Sequence, residues 1–195
     1  MATAVLPARP TVLSLGIGTD ASFDVAMIRR FGARVVGCDP TPSARSTVHA
    51  TGMPKSSLTL LDFAVSDFDG IGECVPVMVS GRPTGCFMLV QATGADSRVQ
   101  SVQVRSIGGV ITDWFGSAPD VLKVDIEGAE FPLIESLESS GFRPGQVLVE
   151  FHHRFAGRSV RDTCNAVTSL RSMGYKLVKL SDQGPEHTFV HERLV

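Results

Sequence analysis

Gly16, Gly18 and Asp39 are the first residues whose types and spacing suggest chemistry. The glycines close an apolar run, Thr11 to Ile17, and precede a helical pattern, so the chain can turn sharply and present backbone N–H groups with no Cβ in the way. Asp39 follows Gly18 by twenty-one residues and ends the next apolar run. A carboxylate there can accept hydrogen bonds from two ribose hydroxyls, and together the three residues describe a nucleoside pocket. Gly16-x-Gly18-x-x-Ala21 also satisfies the looser dinucleotide fingerprint. These residues alone leave an adenosyl ligand, a nicotinamide dinucleotide and a purely structural turn open.

LKVDIEGAE (122–130) is the most informative stretch. It places Asp125 and Glu127 at the mouth of a strand, and Gly128 lets a ligand approach the backbone closely. Glu127 and Glu130 could instead merely favour the positive end of the following helix, an effect of about 0.3–1 kcal/mol each. An aspartate ending an apolar strand is harder to explain by capping. Glu150-Phe151-His152-His153 ends a later strand at the same rim, and alternation puts Glu150 and His152 on one face, away from Phe151 and His153. A neutral imidazole at His152 could take the proton from a substrate hydroxyl. Asp125, Glu127, Glu150 and His152 could also hold a divalent cation, but no ligand-spacing motif specifies one, so a metal-free site is expected. His49, His187 and His191 have no partner visible in the sequence and read as surface or core residues.

These residues need strand ends to hold them, and the chain supplies alternating strands and helices. Strands are predicted at Thr11 to Ile17, Ala33 to Cys38, Leu58 to Val65, Val121 to Asp125 and Gln146 to Phe151. Helices are predicted at Ser22 to Arg30, Gly128 to Ser139 and Ser159 to Met173. Residues 71–105 suggest β-hairpins, broken at Gly81-Arg82-Pro83 and Gly94, and Tyr175 to Leu180 with His187 to Glu192 suggest a closing pair. Such alternation implies a largely parallel sheet covered on both faces, with ligands beyond the carboxyl ends of the strands.

At 195 residues and 43% apolar content the chain can bury one sizeable core, and residues 1–195 are expected to form a single domain. A formal charge of −2 supplies no basic field for nucleic acid or an anionic membrane, so a small-molecule partner is expected. Cys38, Cys74, Cys86 and Cys164 include no CxxC pair, and three sit in or beside apolar runs. Buried free thiols in a reducing compartment follow, and without a signal-peptide core or an eighteen-residue apolar run the expected location is cytoplasmic.

LSLGIGTDASFD (13–24), GCDPTP (37–42), FAVSDFDG (63–70), LKVDIEGAE (122–130) and VLVEFHHRF (147–155) occur in that order along nearly the whole chain. This combination resembles the FkbM-type methyltransferases, including their animal membrane-anchored relatives. The resemblance implies a Rossmann-like class I fold, α/β and doubly wound, with a mostly parallel seven-stranded sheet and an antiparallel last strand. It implies S-adenosylmethionine as cofactor, with Gly16 and Gly18 facing the methionine part, Asp39 the ribose, and Ser66 with Asp67 the adenine. Asp125 would lie near the methionine ammonium or the transferred methyl. Ser14 stands where many class I enzymes carry an acid, leaving Asp20 or Asp24 to supply that carboxylate.

The reaction implied is methyl transfer to a hydroxyl on a sugar or polyketide-like molecule, with His152, Asp125 and Glu127 as the catalytic candidates. Because the donor is already activated, the protein would mainly position the reactants. An NAD(P)-dependent oxidoreductase would fit Gly16, Gly18, Ala21 and Asp39 but leaves LKVDIEGAE unexplained. A catalytically silent adenosyl-binding module would keep Gly18 and Asp39 without an acceptor pocket. Ten residues precede the first strand, so a homodimer partner or the 71–105 segment is expected to cover the site.

Overall fold

A computed structural model describes residues 1–79, 82–91, 100–154, 158–182 and 184–195. The main sheet contains β1 (Thr11–Leu15), β2 (Arg34–Cys38), β3 (Leu58–Leu61), β8 (Val121–Val124), β9 (Gln146–Glu150), β10 (Tyr175–Leu180) and β11 (Glu186–His191). Their order across the sheet is β10-β11-β9-β8-β1-β2-β3, with β11 antiparallel to both neighbours and β3, β2, β1, β8 and β9 paired in parallel. This is the seven-stranded class I arrangement that the family resemblance implies.

Strand alternation divides the core into two layers. Leu13, Leu15, Val36, Leu122, Val124 and Val147 pack beneath α3 (Ile107–Phe115), α4 (Glu130–Ser140) and α5 (Val160–Ser172). Val12, Val35, Leu58 and Val121 face the other way, against Met27 of α1 (Ser22–Phe31) and Val48 of α2 (Pro42–Ala50). One-residue alternation therefore commits each strand to both layers.

The helices α2 and α3 are not anticipated by apolar periodicity. For α2 the signal is polar: Thr41 accepts a hydrogen bond from Ala44 N, and Pro42 occupies the first turn, where its missing N–H costs nothing. Gly108 and Gly109 disguise α3, whose buried Ile107, Val110 and Ile111 nevertheless dock it on the sheet. At α5, Ser159 and Asp162 form a reciprocal capping box.

The apolar run 58–65 predicts one strand, but the chain forms β3 and a separate β4 (Ala64–Ser66) in a second sheet. The break falls at Asp62-Phe63, where Asp62 turns outward to pair with Arg45 while Phe63 packs against the core. The second sheet adds β5 (Gly70–Val79), β6 (Arg82–Gln91) and β7 (Gln100–Ser106), in the order β4-β7-β5-β6. The expected hairpin appears as the antiparallel β5–β6 pair. Its predicted breaks at Gly81 and Gly94 lie outside the described residues. Cys38 and Cys74 are buried free thiols, whereas Cys164 is exposed on α5, because only one stripe of that helix meets the sheet.

Candidate functional site

The turn after β1 is held by its neighbours. Gly16 N donates to Cys38 O at 3.1 Å, and Asp125 N donates to Leu15 O at 3.0 Å. The φ of Gly16 is +77°, and a Cβ there would lie 1.7 Å from Asp125 O, so the approach of β8 excludes any side chain. Asp39 closes the turn from β2. Its Oδ2 accepts from Ile17 N at 2.9 Å and Gly18 N at 2.8 Å, while Oδ1 accepts from Thr41 N at 2.8 Å and Thr41 Oγ1 at 2.6 Å. The twenty-one-residue spacing thus has a local cause: the carboxylate fastens the glycine turn to the start of α2.

Asp125, Glu127, Glu130, Glu150 and His152 converge at the carboxyl ends of β8 and β9. His152 Nε2 lies 3.3 Å from Glu127 Oε2, 3.8 Å from Glu150 Oε1 and 3.9 Å from Asp125 Oδ1, and Nδ1 lies 3.4 Å from Glu130 Oε1. Burial opposes charge on the ring, but the Glu130 contact and the charges of Glu130, Glu127 and Asp125 outweigh it, raising the imidazole above its ordinary range. The surrounding carboxylates thus make this ring more basic than a free imidazole. Burial and then the Asp125 charge push the Glu150 carboxyl up. Glu127 sits at φ 52°, an uncommon backbone region for a residue with a Cβ, and this aims its carboxylate at His152.

Glu130 is the member that sequence reasoning underrated. It is fully buried, accepting from Gly128 N at 2.7 Å and from His152 N at 2.6 Å, so it locks the β8 and β9 ends together rather than merely favouring a helix terminus. Lys123 was also passed over; its Nζ donates to Gly16 O at 2.7 Å and stands 3.4 Å from Asp125 Oδ2. His153 faces away, with Nδ1 3.1 Å from Thr163 Oγ1.

A cavity of about 460 Å³ lies over these strand ends, within the range of small-molecule sites. Gly16, Gly18, Asp20, Asp39, Asp125 and Glu127 all line it, and Cys74, Phe87 and Leu89 of the second sheet form part of its wall. The described part of the 71–105 segment thus contributes to the wall. Ser66 and Asp67 are not among the lining residues; Ser66 is buried and donates to Asp67 Oδ1 at 2.9 Å, while the adjacent Ala64 and Val65 reach the wall instead. Asp20 is tied to Ser22 N and Oγ at 2.8 and 3.1 Å. Asp24 is buried beneath the turn, and burial pushes its carboxyl up.

A second cavity of about 410 Å³ shares Phe23, Lys123, Asp125, Glu150 and Glu186 with the first and extends over Leu148 and Thr188. Asp125, Glu150 and His152 each bring a ligand atom within 4.8 Å of the others, a spacing a cation could use. The glycine cradle, the nucleoside-sized volume and the acidic wall fit an adenosyl sulfonium. No helix among the described residues is long and apolar enough to cross a membrane.

The family model described as the methyltransferase FkbM domain matches residues 12–177. No curated protein sequence matches the chain. Among solved structures, a fibrillarin pre-rRNA processing protein of Methanococcus jannaschii superposes with a TM-score of 0.52 at 10% identity, covering 98% of this chain and 70% of that one. A fibrillarin/Nop5p complex gives a TM-score of 0.52 at 12% identity, covering 95% and 74%. At these identities the likeness is one of fold. With the motifs, the strand order and the cradle in agreement, the chain belongs to the FkbM methyltransferase family and is an S-adenosylmethionine-dependent methyltransferase.

Proposed function

We propose that the chain methylates a hydroxyl on a small molecule, with the cofactor in the first cavity and the acceptor approaching from the second. The observation that carries this reading is the shared wall: Asp125, Glu150 and Lys123 line both cavities, so two ligands would meet there. Gly16 and Gly18 would admit the methionine part, and Asp39 would hold the turn beneath the ribose, with Asp20 at the cavity's edge. Ser66 and Asp67 would act on the adenine side only by holding β4 in place. When bound, S-adenosylmethionine supplies an already activated methyl group.

The residues of this chain have the remaining tasks of alignment and proton uptake. Asp125 would orient the methionine end, and Glu150 would receive the acceptor proton, its carboxyl being raised and facing both cavities. Glu127 and His152 would hold that carboxylate in place. The rim acids Asp125, Glu127, Glu150 and Glu186 oppose a polyanion, which supports a small-molecule partner over nucleic acid.

The test is a screen of hydroxylated small molecules for release of S-adenosylhomocysteine, followed by Glu150→Gln on any acceptor found. Transfer should fall by roughly 10²–10⁴-fold, the range for disrupted proton transfer, with S-adenosylhomocysteine affinity unchanged. Full turnover in that variant would overturn the assignment of the cluster. A chelator should leave wild-type turnover intact; loss restored by magnesium would make Asp125, Glu150 and His152 ligands instead.

A further inference from the structure

We propose that Lys123 is the receptor for the α-carboxylate of the cofactor's methionine half. The inference deepens the reading of the first cavity given above and rests on it.

The cavity wall is strongly unbalanced in charge. Its described lining includes Asp20, Asp39, Asp125, Glu127, Glu150 and Glu186, against Lys123 as its one lysine or arginine. S-adenosylmethionine brings an ammonium, a sulfonium and a carboxylate. The two cationic centres have acids to meet, but the carboxylate would be repelled along most of this wall.

Backbone N–H groups of a glycine turn are the usual alternative for an anion. Here they are occupied. Gly16 N is bonded to Cys38 O, and the N–H groups of Ile17 and Gly18 both point to Asp39 Oδ2. The Asp39 clamp therefore takes the Ile17 and Gly18 N–H groups away from the carboxylate and favours a side-chain cation as its partner.

Lys123 is built for that task. Its ammonium has three donors; one reaches Gly16 O at 2.7 Å and another faces Asp125 Oδ2 at 3.4 Å, leaving one without a partner among the described residues. The side chain is 19% exposed, so the charge is held at a partly dehydrated wall where pairing is stronger than on an open surface. Lys123 and Asp125 lie two residues apart on one strand face, which sets a cation beside an anion as an α-amino acid's zwitterion requires.

Calorimetric titration tests the assignment with S-adenosylhomocysteine, its decarboxylated analogue and 5′-methylthioadenosine, against wild type, Lys123→Met and Lys123→Arg. Wild type should prefer S-adenosylhomocysteine to the decarboxylated analogue. Lys123→Met should lose affinity for S-adenosylhomocysteine by roughly 10- to 100-fold, the worth of a charge-assisted bond, and with it that preference. Binding of 5′-methylthioadenosine should stay unchanged, which also shows the variant folded, and Lys123→Arg should restore part of the preference. Equal loss for all three ligands in Lys123→Met would reduce Lys123 to a latch between the turn and β8 and overturn the proposal. An intact preference would overturn it as well. A wild type that binds none of the three would overturn the adenosyl reading of the cavity itself.

Discussion

The carboxylate of Asp39 offers about four acceptor sites, and the turn and Thr41 fill them. A ribose hydroxyl must share these lone pairs, so Asp39 contributes to stability before any ligand arrives. Asp39→Ala should cost about 1–3 kcal/mol of stability, the range for leaving buried donors unpaired, and should also weaken S-adenosylhomocysteine binding. Urea unfolding and calorimetry on the same variant check both; an unchanged midpoint would show that the clamp contributes nothing. His152 and Glu150 give pH signatures. The folded His152 imidazole is raised from 6.5, so its stabilisation is complete below that pH and is lost as pH rises through the folded value. The stability gap between wild type and His152→Gln should therefore shrink above neutrality. Glu150 is raised from 4.5, so its ionised form penalises the folded state at neutral pH. Glu150→Gln should raise the urea midpoint at pH 7 and give no gain at pH 4.

At the scale of elements, the site depends on how closely two strand ends approach. The Cβ that Gly16→Ala would add lies 1.7 Å from Asp125 O, a backbone atom that cannot swing aside. The variant must separate β1 from β8, and a loss of roughly 3 kcal/mol or more is expected, as for strained core substitutions. Gly18→Ala meets no atom within 4 Å and carries only the strain of φ +56°. Thermal unfolding of the pair should rank Gly16→Ala far below Gly18→Ala, and equal losses would show that turn conformation, not strand approach, is what matters. The strands that hold the motifs were legible because each is a short apolar run closed by glycine or an acid. The helices α2 and α3 were not, since their signals are a Thr-Pro cap and a face hidden by two glycines.

For the whole molecule, ligand binding and stability are linked. S-adenosylhomocysteine at a hundredfold excess over its Kd should add about 2.7 kcal/mol, raising Tm by several degrees, while a nicotinamide dinucleotide should add nothing. The reverse result would remove the methyltransferase reading. The sequence by itself determined the α/β fold class, a largely parallel sheet and the strand ends where chemistry collects, because alternation and punctuation are local and repeat along the chain; the seven-stranded order came only through the family resemblance. Tertiary structure decided what each acid does. Asp39 binds the turn it follows, Glu130 joins two strand ends, and Ser66 with Asp67 leave the wall to Ala64 and Val65. The surroundings of His152 were likewise invisible, since they depend on four carboxylates from residues 125 to 150 meeting at one ring. Pattern fixes which residues reach the rim; pairing among them depends on distances that only the folded backbone sets.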